Sequence, residues 1–163
     1  MTVLLPQTAT AIADCREHID RQDDPDPAIV SYLTRYLTLA MCAEVEDVVT
    51  RIIHERIEQS LEKGCDSPAA SFVKSRLRSA IRNAKYDEIR STIAKFGADY
   101  EKRFEASVTS EVGEKGISQL GLAVWNRNAI AHKSPPNITF QELESTYAVA
   151  EDVVGIVEAV LKR

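Results

Sequence analysis

An all-α fold, an antiparallel helical bundle with a long second helix, is predicted for this chain by three observations. Alternation of apolar and polar residues at period two is almost absent, which leaves strands no pattern. Apolar residues recur instead at three- and four-residue spacings through long stretches. Helix start and stop signals punctuate those stretches: Asp-Pro and Ser-Pro pairs, glycines and a Thr-x-x-Glu box.

The first helix is expected over residues 7–22 and ends in DDPDP, where each proline pushes the residue before it out of the helical region. Asp26 then caps the second helix, with Pro27 at its first position. That helix is read from residue 27 to residue 63, before Gly64 supplies a stop. Unbroken, it would be roughly 55 Å long, which invites a kink or a helical partner. Ser67 and Pro68 repeat the cap-plus-proline start, and one helix or two follow to near Gly97. Further helices are expected over residues 99–108 and 117–132. Thr139 and Glu142 have the spacing of a capping box, so the last helix starts there and runs to about Leu161. Between these, TSEVGEKG with Gly113 and Gly116 is the expected mobile surface loop.

A chain of 163 residues fits one domain, residues 1–163, with its core over about 27–163 and residues 1–26 as an N-terminal helix and linker. A hydrophobic share of 44% and a charged share of 28% exclude a disordered or fibrous chain. No run approaches the roughly 20 apolar residues of a membrane span, and MTVLLPQTAT lacks the basic region of a signal peptide. The expectation is a cytoplasmic protein without a membrane partner. Cys15, Cys42 and Cys65 form no CxxC pair, and His18, His54 and His132 share no ligand spacing with them. Neither disulfides nor a metal or other cofactor are expected.

The net charge of −5 argues against an indiscriminate nucleic-acid coat, yet it is unevenly spread. Residues 67–96 carry seven basic side chains against two acidic ones, a local +5 that leaves −10 elsewhere. Arg76, Arg78 and Arg82 in that stretch are candidates for phosphate contacts; a charged face kept for solubility explains them equally.

Glycine-rich phosphate loops, nucleophile motifs and HExxH are all missing from the sequence. What stands out is charge on apolar faces. At about 100° per residue, Ile117, Leu120, Val124 and Ala131 share a stripe that includes Arg127. In the long helix, Cys42, Val49 and Ile53 share one with Glu46, while Glu44, Asp47, Arg51, Glu55 and Glu58 fall on the other side. Burying either charge alone is costly, so a contact between Glu46 and Arg127 is expected. The alternative is that one or both lie at the stripe's edge and reach water along their stems.

His132 follows Arg127 by five residues, about 140° around a regular helix. Because Ser134 precedes Pro135 and is disfavoured in the helical region, His132 is expected in the last turn or its exit, where its ring can turn back toward the arginine. A purely structural role competes: cationic groups near a helix C-terminus are stabilised by the macrodipole without any chemistry.

The run Arg127-Asn128-Ala129-Ile130-Ala131-His132 resembles the R-x4-H signature of the HEPN family of small all-α domains, found in prokaryotic defence and toxin systems and in some RNA-processing enzymes. AEVEDVV, containing Glu46, looks like that family's acidic residue in an apolar helix, and KFGADYEKRFEASV followed by LGLAVWNRNAIAHK is similar to the subgroup called RiboL-PSP-HEPN. The resemblance covers residues 31–161. It implies an HEPN-like bundle that homodimerises, placing two copies of Arg127 and His132 around one cleft where RNA is cut without a metal.

On that implication His132 moves protons, since histidine titrates near neutrality, and Arg127 stabilises charge developing on the phosphoryl oxygens. Asn128 orients substrate or histidine, and Glu46 holds Arg127 in place. The products would be a 2',3'-cyclic phosphate and a 5'-hydroxyl, in a toxin or defence role that could involve an antitoxin or other companion protein. Lys133 stands where many members have glycine and would either crowd the cleft or contact phosphate. Ser134 stands where the members paired with nucleotidyltransferase antitoxins carry a modified tyrosine, which argues against that partnership. A non-catalytic module that binds a protein or RNA is the alternative, and a protein that blocks a toxin by copying its dimer surface is a third.

Overall fold

The computed structural model describes residues 3–61, 81–132 and 137–162. Six helices and no strand are present among them: α1 Pro6–Asp20, α2 Pro27–Leu61, α3 Tyr86–Ala94, α4 Ala98–Glu111, α5 Gly113–Ala131 and α6 Phe140–Leu161. The all-α prediction is therefore met, and α2 is one continuous helix of 35 residues. The Ser67-Pro68 start falls outside the described residues.

The caps read from sequence are in place. Asp26 Oδ1 accepts from the Ala28 amide at 2.8 Å, satisfying one of the donors that a helix start leaves free. At α6, Thr139 Oγ1 accepts from the Glu142 amide at 3.2 Å and the Glu142 carboxylate accepts from the Thr139 amide at 2.7 Å. The Thr139 amide and the Thr139 hydroxyl, which donates to Glu142 Oε2 at 2.8 Å, hold Glu142's carboxyl below its ordinary value.

The core gathers around α2, which packs on α6, α1 and α5, while α6 also meets α4 and α5. Leu37, Met41, Val45, Val49 and Ile53 of α2 meet Val153, Val157 and Leu161 of α6 in one buried cluster with Leu120 and Val124 of α5. Phe104 and Val108 of α4 and Ile89 and Ile93 of α3 extend it. Each fully buried aliphatic or aromatic side chain there contributes on the order of 1.5–3 kcal/mol through removal from water.

Two expectations are corrected. Glu44 is not on the outer side of α2; it is 8% exposed. Its carboxylate accepts from the Gln7 and Thr8 amides at 2.9 and 2.7 Å. Glu151 of α6 does the same for the Leu4 and Leu5 amides at 3.2 and 2.5 Å. Two carboxylates from distant helices thus satisfy the amides that open α1, where the helix dipole favours negative charge. That arrangement depends on how α1 docks and has no local sequence signal.

Nor is TSEVGEKG a loop. Helix α4 continues through Glu111 and α5 begins at Gly113, so only Val112 separates them. Gly113 takes φ 68°, a left-handed conformation that glycine adopts without penalty, and this turns the chain within one residue. Gly116 is buried because Val112 and Val149 close over it, and a Cβ there would overlap Val112 Cγ1. The glycines mark a tight junction rather than a mobile segment.

Candidate active site

The long helix and α5 bring together the two charges that the helical pattern had singled out. Arg127 Nη2 donates to Glu46 Oε2 at 3.4 Å, with the arginine side chain 30% exposed and the glutamate 16%. Both earlier alternatives hold in part, since the pair meets and the arginine sits at the edge of the core. The buried face of α5 is Gly116, Leu120, Ala123, Val124 and Asn126. It is rotated from the expected stripe, so Ile117 is only partly buried and Ala131 is exposed.

Arg127 has further partners. Its Nη1 donates to Asn128 Oδ1 at 3.2 Å and to Asn83 Oδ1 at 3.4 Å. Asn83 lies in residues 81–85, a non-helical segment before α3 that Glu88 ties down by accepting from the Arg82 amide at 2.6 Å and from Asn83 Nδ2 at 3.3 Å. The guanidinium is therefore held by three elements in one orientation, with part of its fork open to solvent.

Burial pushes Glu46's carboxyl above its ordinary value; Arg127 is the largest opposing influence and the Ala84 backbone amide the next. The Cys42 thiol one turn earlier is pushed up to about 12 by burial, with Glu46 adding to the effect and Arg127 opposing it. Such a thiol stays protonated near neutral pH and acts as packing.

His132 is the exposed C-cap of α5, its amide bonded to the carbonyls of Asn128 and Ile130. Its φ of −92° and ψ of 15° lie outside the regular helical region, and no hydrogen bond joins it to Arg127 among the described residues. The position of His132 at the exit of α5 agrees with the expectation. Arg82 is exposed, and its side chain has no hydrogen bond or ion pair in this cluster among the described residues. Lys133, Arg76 and Arg78 lie outside the described residues.

Two residues that matter here escaped the sequence reading. Asn83 had no signal beyond being a polar residue between Ile81 and Ala84, both buried. Asn126 is fully buried. Its Oδ1 accepts from the Asn137 amide at 2.6 Å and its Nδ2 donates to Leu122 O at 3.0 Å. It ties the far end of the α5–α6 connection to α5 beside Arg127. An asparagine inside a helix, where it competes with the backbone for hydrogen bonds, was the available hint.

A separate cleft of about 410 Å³ runs between α1 and α2, with Leu4, Gln7, Tyr36, Asp47 and Arg51 in its lining. Its buried carboxylate, Glu44, is already occupied by backbone amides. The polar cluster around Arg127 is thus the better candidate for chemistry.

The all-helical architecture is that of a HEPN-type bundle. The chain belongs to the RiboL-PSP-HEPN family, which matches it over residues 9–162. No curated protein and no solved structure matches it. Membership points to a nuclease or related role. No helix among the described residues is long and apolar enough to cross a membrane.

Proposed function

We propose that this protein is a metal-independent endoribonuclease whose complete site forms between two copies of the chain. The observation that carries the reading is the guanidinium of Arg127, held by Glu46, Asn83 and Asn128 yet partly open to solvent, on the helix that ends in exposed His132. An immobilised, half-exposed fork of donors suits a phosphoryl group on which charge develops. The 2'-hydroxyl of RNA attacks the adjacent phosphorus as one histidine takes its proton; the bond to the 5'-oxygen breaks as that oxygen receives a proton from the second copy. The products are a 2',3'-cyclic phosphate and a 5'-hydroxyl. Asn128 orients the phosphate or the histidine, and Arg76, Arg78, Arg82 and Lys133 add contacts along the RNA backbone.

A spacing of five residues puts His132 about 140° around a regular helix from Arg127, which supports a composite site and a homodimer. The same separation supports the second reading, a non-catalytic module that binds a partner protein or RNA, should two copies not bring the motifs together. A toxin or defence role, a companion protein such as an antitoxin and a cytoplasmic location belong to the first reading. Single-stranded RNA incubated with the protein in EDTA is expected to yield fragments with cyclic phosphate ends, and His132→Ala to abolish them with the helical content intact. Cleavage at the wild-type rate by that variant would sink the assignment.

A further inference from the structure

Trp125 is the chain's single tryptophan, and the residue stays 55% exposed. A ring of that size ordinarily gains by burial, and its exposed surface is available to a partner. Helix periodicity explains how it is presented: Leu120, Ala123, Val124 and Asn126 take the core face of α5, and Trp125 is directed to the other side with Leu122, itself 41% exposed. His132 follows Trp125 by seven residues, about 20° short of two full turns and roughly 10 Å along the axis, and is also exposed. Asn128 lies about 60° to one side, and its side chain touches the Arg127 guanidinium. Around the end of α5 the order is therefore Arg127, Asn128, then the edge shared by His132 and Trp125.

We infer that Trp125 is a stacking platform for a nucleobase flanking the cleaved phosphate, a positioning residue that the family signature does not include. A strand whose phosphate is engaged by Arg127 and Asn128 and that continues past His132 along this edge meets the exposed indole. Every base has a π-face, so the platform confers affinity and register with little sequence choice. The inference rests on the ribonuclease reading. A second copy covering the same ring is the less suitable occupant, because it would close the edge that His132 must keep open to RNA in the proposed dimer, and Leu122 and Trp125 are the only large apolar side chains exposed on α5 among the described residues.

With one tryptophan in the chain, its emission reports this ring alone. The His132→Ala protein is titrated with single-stranded oligouridylate, and binding is followed in parallel by anisotropy of a labelled copy of the same oligonucleotide. Quenching that saturates together with anisotropy is expected. In the otherwise wild-type protein, Trp125→Ala and Trp125→Leu are each expected to raise KM about tenfold with kcat changed less than about twofold, and Trp125→Phe to retain most of the affinity. Leucine keeps apolar area but not the ring, so a Leu variant indistinguishable from wild type would overturn the platform. So would emission that shifts to the blue with protein concentration alone, the sign of a second copy. Binding and cleavage without quenching reject the platform and leave the ribonuclease reading standing; an absence of both binding and cleavage in the wild-type protein rejects the two together.

Discussion

Arg127 of α5 and Glu46 of α2 meet across 81 residues of sequence at 3.4 Å, and the glutamate is the more deeply buried partner. Burial holds its carboxyl above the ordinary value despite the arginine, so the contact that places Arg127 carries the cost of burying the glutamate.

Cleavage should separate the two roles. Arg127→Ala is expected to lower single-turnover cleavage by at least about 100-fold, the scale of losing a donor to a developing oxyanion. Glu46→Gln should lose on the order of tenfold, since the guanidinium remains but is less firmly placed. The double variant is expected to lose no more than Arg127→Ala alone, because the glutamate acts only through the arginine. Additive losses would show that Glu46 acts independently.

Stability should move with pH in a defined direction. A carboxyl whose pKa is raised by folding contributes stability that is full below the unfolded value and is lost as pH rises through the folded value. Glu46→Gln, which keeps the uncharged form at every pH, is therefore expected to melt above wild type near neutrality. The gap should close as pH falls through the window between the raised and the ordinary glutamate values. Thermal melts across that range check it, and a variant that melts below wild type at neutral pH would contradict the balance.

Asn126→Ala should cost about 1–3 kcal/mol in chemical denaturation, because it leaves the Asn137 amide without its buried acceptor. Amide exchange at Asn137 should quicken more than exchange in the middle of α6. Equal change at both places would mean that Asn126 serves general packing and does not pin the connection.

Gly116→Ala is expected to destabilise by about 1–3 kcal/mol, since the new methyl overlaps Val112 where α4 turns into α5. Combining it with Val112→Ala should recover much of that loss by opening the space. If Gly116→Ala alone leaves the melting temperature unchanged, the junction is looser than its packing indicates.

Local physics made much of this protein legible. Helix content, the Asp26 cap and the Thr139–Glu142 box depend on residues within a turn or two of one another. The expectation that Glu46 and Arg127 meet needed only periodicity and the cost of burying charge, and the R-x4-H run was visible as written. Glu44, Asn83 and Asn126 were not legible, because each acquires its role from a partner supplied by a separate part of the chain: the first turn of α1, the guanidinium of Arg127, the amide of Asn137. Periodicity states which residues share a helix face, but the rotation of that face toward its neighbours is set by packing. Hence the sequence by itself determined the helices, their caps and the identity of the cationic motif. Only the tertiary structure decided that Arg127 lies at the rim of the core and that three elements hold it.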